Sequence, residues 1–310
     1  MKKTSLSKLM AFVSVFAITG SMTLSVPVYA YTEVQPAAPV LDAAAPVVDA
    51  AAPAAPVQAS AVPVMVTEAM PYASFSAIKT GAAMLYNNTG ALANGITVCV
   101  NAGHGTLGGE RFKTLSHPDG TPKVTGGTTS AGSVKSPAIS SGMVFADGAK
   151  EASVTLRQAL ILKELLLNNG YNVLMIREGN DVQLDNIART VLANNYANCH
   201  ISLHWDSTSS NKGAFFAKVA NVASYKAMEP VASTWAQSDL LGTCLINGLK
   251  SAGCKIHGSG SMEMDLTQTS YSTVPSVDIE LGDKASAHTD AALNTNALGL
   301  LQGINTFFGR

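Results

Sequence analysis

From residue 96 to the end of the chain, short apolar runs alternate with longer segments whose apolar positions recur at helical spacing. This rhythm restricts the fold more than any single residue does. Residues 96–101 (ITVCVN) read as a strand. Leu156, Ala159, Leu162 and Leu166 mark a helix over 150–169, ended by Gly170. A second strand follows over 171–176, a short helix over 185–195 and a third strand over 199–205. A long helix over 232–252 stops at Gly253, and a strand over 277–281 lies between Pro275 and Gly282. Thr289 and Asp290 open a last helix carrying Leu293, Leu300, Ile304 and Phe307. Strand and helix in this alternation predict a single α/β domain, with a mostly parallel central sheet flanked by helices on both faces. Ligands of such sheets gather beyond the carboxyl ends of the strands.

What precedes residue 96 is of another kind. Lys2, Lys3 and Lys8 stand before an apolar stretch over 9–28, and Val28-Tyr29-Ala30 places small residues at a cut site. Residues 1–30 therefore read as a secretory signal peptide, cleaved near Ala30, which predicts export to the cell wall or periplasm. Residues 31–70 are dominated by Ala, Pro and Val and read as an extended linker, with 71–95 as a pre-domain segment. The folded domain is expected over 96–310. Once the three early lysines and four early acids are set aside, residues 71–310 carry 17 basic and 17 acidic side chains. A neutral domain has no stripe to follow a nucleic-acid backbone, so no nucleic-acid partner is expected. Four cysteines without a C-x-x-C pair exclude a disulfide scaffold, although Cys244 and Cys254 could close a local bridge.

The first strand runs into VCVNAGHGTLGGE, where Gly103, Gly105 and Gly108 have G-x-G-x-x-G spacing. A dinucleotide loop of this kind opens a helix and carries an acid about 20 residues on. Here GERFKTLSHPDGTPKVTGG turns instead, so no nucleotide is expected. The alternative is a metal loop. His104 follows the first strand, Glu151 opens the first helix and His204 ends the third strand, so all three reach one sheet edge. Two imidazoles and a carboxylate with an open fourth position are the ligand set of a hydrolytic zinc site. His200 lies four residues from His204, but on a strand that is roughly 13 Å, too far to share an ion. It reads as structural. His117, His257 and His288 are expected to be solvated or locally bonded.

The motifs resemble those of the zinc-dependent N-acetylmuramoyl-L-alanine amidases, the amidase-3 catalytic domain. VCVNAGHG is similar to that family's strand ending in G-H-G. KEASVTLRQALILKELLLNNGYNVLMIREGND resembles its Glu-led helix, glycine stop, strand and Arg-x-x-x-Asp, with Arg177 and Asp181 in place. LDNIARTVLANNYANCHISLHWDS resembles its run into S-x-H, and VPSVDIELGDKAS its P-x-x-x-x-E-x-G turn. The resemblance implies zinc as cofactor, His104, Glu151 and His204 as its ligands, and Glu280 as catalytic glutamate. It implies peptidoglycan as substrate, cut at the amide between N-acetylmuramic acid and L-alanine; it identifies no activator protein. A zinc peptidase acting within the stem peptide and a catalytically silent wall-binding module are the competing readings. The chain departs from the pattern at Asn101, where the family usually has Asp, at Thr106, where it has Gly, and at Asp206, where Asn is common. The stretch over 106–147 is far longer than usual and reads as an ordered-loop insertion bordering the site. Asp278 shares a strand face with Glu280, as a partner of the ligands or as a locally bonded polar residue.

Overall fold

The structure is a computed structural model and describes residues 59–310. The expected signal peptide and most of the expected linker lie outside the described residues. Ten strands and six α-helices follow in chain order: β1 (Ala59–Met65), β2 (Ala82–Asn88), β3 (Thr97–Ala102), β4 (Lys113–Leu115), β5 (Lys135–Pro137), α1 (Glu151–Asn168), β6 (Asn172–Met175) and α2 (Asn186–Tyr196). Then come β7 (Cys199–Asp206), β8 (Ala214–Val219), α3 (Ala223–Ala227), α4 (Val231–Ser251), β9 (Ile256–Met264), α5 (Thr267–Tyr271), β10 (Ser276–Asp283) and α6 (Asp290–Phe307). Eight strands form one sheet in the order β1-β2-β6-β3-β7-β10-β8-β9, and β4 pairs with β5 apart from it.

The centre of the sheet is parallel: β6 with β3, β3 with β7, and β7 with β10. These are the strands expected from the apolar runs. Period-2 alternation sorts their side chains. Val98, Val100, Ile201, Leu203, Val277 and Ile279 turn to the face covered by α1, α4 and α6. Cys99 and Leu174 turn to the other, where α2 brings Ala188 and Leu192. Asp185 and Thr289 cap α2 and α6 by accepting the Ala188 and Ala292 N–H groups.

Helices α4 and α6 touch backbone to backbone. A Cβ added to Gly303 would stand 2.6 Å from the Cys244 carbonyl oxygen. Cys244 is buried on α4, and Cys254 turns its Sγ to Asn296 Oδ1 at 3.3 Å, so both thiols are free and the local bridge is not formed.

The expected start of the domain is corrected at the sheet edge. Residues 59–65, placed in the linker, form β1, and the pre-domain segment supplies β2, which continues the sheet antiparallel on β6. Only Val64 of β1 is buried, so an edge strand of Ala, Val and Pro carries little of the pattern that marks a strand. The insertion over 106–147 is largely loop around the β4–β5 pair, as its composition suggested. Among the described residues no helix is long and apolar enough to cross a membrane.

Candidate metal centre

The parallel strands β3, β7 and β10 end at one rim, and α1 begins there. His104 lies two residues past β3, Glu151 is the first residue of α1, and His204 stands on β7 beside Glu280 of β10 in register. The glycines flanking His104 have a steric reason. A Cβ on Gly103 would lie 2.6 Å from His204 Nε2, so only glycine lets β3 pass the imidazole. Gly105 has φ +74°, and a Cβ there would lie 2.6 Å from Arg177 Nε. The glycine spacing serves close approach to two side chains, not a phosphate.

Three donor atoms meet at the rim. His104 Nε2 is 2.9 Å from Glu151 Oε1, His204 Nδ1 is 3.2 Å from the same oxygen, and the two nitrogens are 3.1 Å apart. Ligand atoms around a tetrahedral zinc with bonds near 2.1 Å stand about 3.4 Å apart. The outer atoms fix which ring nitrogens carry protons. His104 Nδ1 is 2.9 Å from the Ser140 carbonyl oxygen, which only accepts, so Nδ1 holds the proton and Nε2 presents a lone pair. His204 Nε2 faces Ser202 Oγ at 3.0 Å and Asp278 Oδ1 at 3.4 Å, leaving Nδ1 to face inward. Glu151 is held by two backbone donors, Met143 N–H on Oε2 at 2.8 Å and Trp205 N–H on Oε1 at 3.0 Å. Three lone pairs so directed repel one another unless positive charge sits between them, and the donor set fits a divalent cation.

A proton can take the place of a cation between these atoms, and the pKa shifts follow from that competition. Burial would raise the Glu151 pKa, but the imidazoles of His104 and His204 against its Oε1 hold it far below the ordinary carboxylate range. Burial would lower that of His204; its bond to Glu151 and the Asp278 charge override this and carry it to about 9. Glu280 is different. Its Oε2 is buried with no hydrogen-bond partner, and burial, reinforced by Glu151, Asp206 and Asp278 against the pull of His204, pushes its pKa up to about 8.

A family model described as N-acetylmuramoyl-L-alanine amidase matches residues 98–306. The chain belongs to this family. The N-acetylmuramyl-L-alanine amidase Ami1 of Mycobacterium smegmatis superposes with a TM-score of 0.57 at 18% identity, covering 70% of this chain and 98% of that one. Ami1 of Mycobacterium abscessus gives 0.53 at 21% identity over 70% and 99%. At these identities the likeness is one of fold. No curated protein matches the sequence.

Two buried arginines hold the amidase rim in place. Arg177 donates to the carbonyls of Ala102, Gly103 and Ala152 and to Thr155 Oγ1, tying the end of β3 to the first turn of α1. Arg189 donates to the carbonyls of Ala102 and His104 and to Asn101 Oδ1. The charge of each is spread over carbonyl dipoles rather than met by a carboxylate. Burial lowers the pKa of Arg177 to about 10 and that of Arg189 to about 9.

The remaining histidines stay out of the site. His200 is fully buried, and burial and the Arg189 charge lower its pKa to about 3, so it is neutral. His288 pairs with Asp147 at 3.1 Å, and His257 lies against Phe215. His117 makes a local bond, Nδ1 to Thr121 Oγ1 at 3.0 Å, as one of the two expectations had it, but it is not solvated. It is buried and its Nε2 lies 3.0 Å from Asp265 Oδ2, 148 residues away. Asp265 also accepts from Lys123 Nζ and from the Val124 and Thr125 N–H groups, so one carboxylate pins the insertion to the sheet. The insertion walls a cleft of about 530 Å³ whose floor holds His104, Glu151, His204, Asp278 and Glu280. Ser140, Met143, Trp205 and Asp265 were not legible as site residues, because three of them act through backbone groups and the fourth through chain distant in sequence.

Proposed function

We propose that the protein is a zinc-dependent N-acetylmuramoyl-L-alanine amidase, exported by its first 30 residues, that hydrolyses the amide joining the lactyl group of N-acetylmuramic acid to L-alanine of the peptidoglycan stem. The observation that carries this reading is the triangle of His104 Nε2, Glu151 Oε1 and His204 Nδ1, with sides of 2.9 to 3.2 Å and each outer nitrogen tied to an acceptor. His104, Glu151 and His204 would hold the ion. Zinc bound there supplies Lewis acidity, polarising a carbonyl and bringing the pKa of a water towards about 7.

The chain's own residues supply the proton chemistry. Glu280 faces the cleft from the strand beside His204, and its carboxylate can take a proton from the attacking water. As the C–N bond breaks, the same carboxyl returns that proton to the alanine nitrogen, which leaves as a free amine while the lactyl carbonyl becomes a carboxylate. A group whose pKa is pushed up by burial both accepts and releases a proton near neutrality.

The test is digestion of purified peptidoglycan followed by mass spectrometry of the products. Intact stem peptides with a free L-alanine amine, together with peptide-free muramic acid, are expected. Shortened peptides still attached to muramic acid would instead assign a stem peptidase.

A further inference from the structure

The polar face of the central strands carries a hydrogen-bond network whose directions can be read from one end to the other. Arg189 only donates, so Asn101 turns its Oδ1 to Arg189 NH1 at 3.0 Å and its Nδ2 to Ser202 Oγ at 3.2 Å. Ser202 Oγ therefore accepts a hydrogen bond from Asn101, and its own O–H is free to bond Asp278, its neighbour in register on β10. The same end receives His204 Nε2, 3.0 Å from Ser202 Oγ and 3.4 Å from Asp278 Oδ1. Every donor direction runs towards Asp278, whose ionised carboxylate only accepts; burial raises its pKa, and the His204 charge and the Ser202 hydrogen bond oppose that rise. Its side chain is only 15% exposed, and among the described residues no lysine or arginine pairs with it.

We propose that Asp278 is the positioning residue for His204: its acceptor-only carboxylate ends the Arg189–Asn101–Ser202 network and draws the imidazole proton to Nε2, so that Nδ1 is presented to the metal. The assignment rests on the reading of the triangle as a metal centre. A carboxylate behind a ligating imidazole fixes its tautomer and ring plane and raises its basicity. Asp278 thus does for His204 what the Ser140 carbonyl does for His104, with a charge added. Strand β10 then serves the site twice on one face, holding a ligand through residue 278 and handling the water's proton through residue 280.

The experiment measures zinc affinity of the purified protein by competition with a chromophoric chelator, for the parent, Asp278→Asn and Asp278→Ala. The melting temperature of each metal-free protein is recorded alongside. Loss of such an outer partner weakens metal binding by about 10- to 100-fold. The Asn variant, which keeps an acceptor oxygen, is expected near the lower end and the Ala variant near the upper, with metal-free melting unchanged. Either variant matching the parent to within about twofold would overturn the assignment, as would losses that track a lowered metal-free melting temperature. A parent that takes up no zinc would overturn the metal reading itself and this assignment with it. A parent that binds zinc beside unchanged variants would overturn the role of Asp278 alone.

Discussion

Glu280 and Glu151 are glutamates at the same rim with opposite environments. Glu151 accepts from two backbone N–H groups and faces two imidazoles, so it stays ionised. Glu280 has a buried oxygen without a partner and is pushed towards the neutral form. On the proposed function, two carboxyls whose proton affinities are driven apart would divide the work between ligand and proton carrier. Glu280→Gln is therefore expected to keep its zinc and lose turnover on peptidoglycan by about 10²- to 10⁴-fold, measured as kcat beside metal content. Near-normal turnover in that variant would remove Glu280 from the mechanism. His204→Ala is expected to lose zinc and turnover together. The meeting of His104, Glu151 and His204 was legible in the sequence because they sit where strands end and a helix starts. The groups that orient them were not: Ser140 acts through a carbonyl, and Met143 and Trp205 act through N–H groups that every residue but proline possesses.

At the scale of elements, the helix layer over the sheet depends on the contact of α4 with α6. Gly248, Gly299 and Gly303 leave no room between the two backbones. Gly303→Leu is expected to destabilise the protein by about 3 kcal/mol or more, read from the denaturant midpoint of unfolding, because helix backbones cannot yield as a side chain can. The anchoring of the insertion is electrostatic. Burial would raise the pKa of Asp265, but His117, Lys123 and Thr125 hold it well below the ordinary carboxylate range. A carboxylate with a depressed folded pKa contributes stability that is present above its unfolded value near 3.9 and is lost as pH falls towards the folded one. Unfolding measured against pH should therefore show stability declining below about pH 4, and Asp265→Asn should be less stable at neutral pH and flatter across that acid range. An unchanged acid profile in the variant would show that the anchor lies elsewhere. The central elements β3, α1, β6, α2, β7, β10 and α6 were legible because they bury a continuous face, which imposes a period on the sequence. Strands β1 and β9 were not. Each is an edge strand with few buried positions, and β9 (IHGSGSMEM) is broken by glycine and serine. What makes them strands is a partner distant in the chain.

The described residues form a sheet whose central parallel strands deliver functional groups to one rim, with an insertion fastened beside the cleft by contacts that include the buried Asp265 carboxylate. That arrangement has chemical purpose only if the three donors at the rim share an ion. Crystals of the protein grown with zinc and measured across the zinc absorption edge test this directly. The account predicts one anomalous peak per chain, at about 2.0–2.2 Å from His104 Nε2, Glu151 Oε1 and His204 Nδ1 together. A zinc-loaded protein with no peak among those three atoms, or with its zinc held elsewhere, would contradict it.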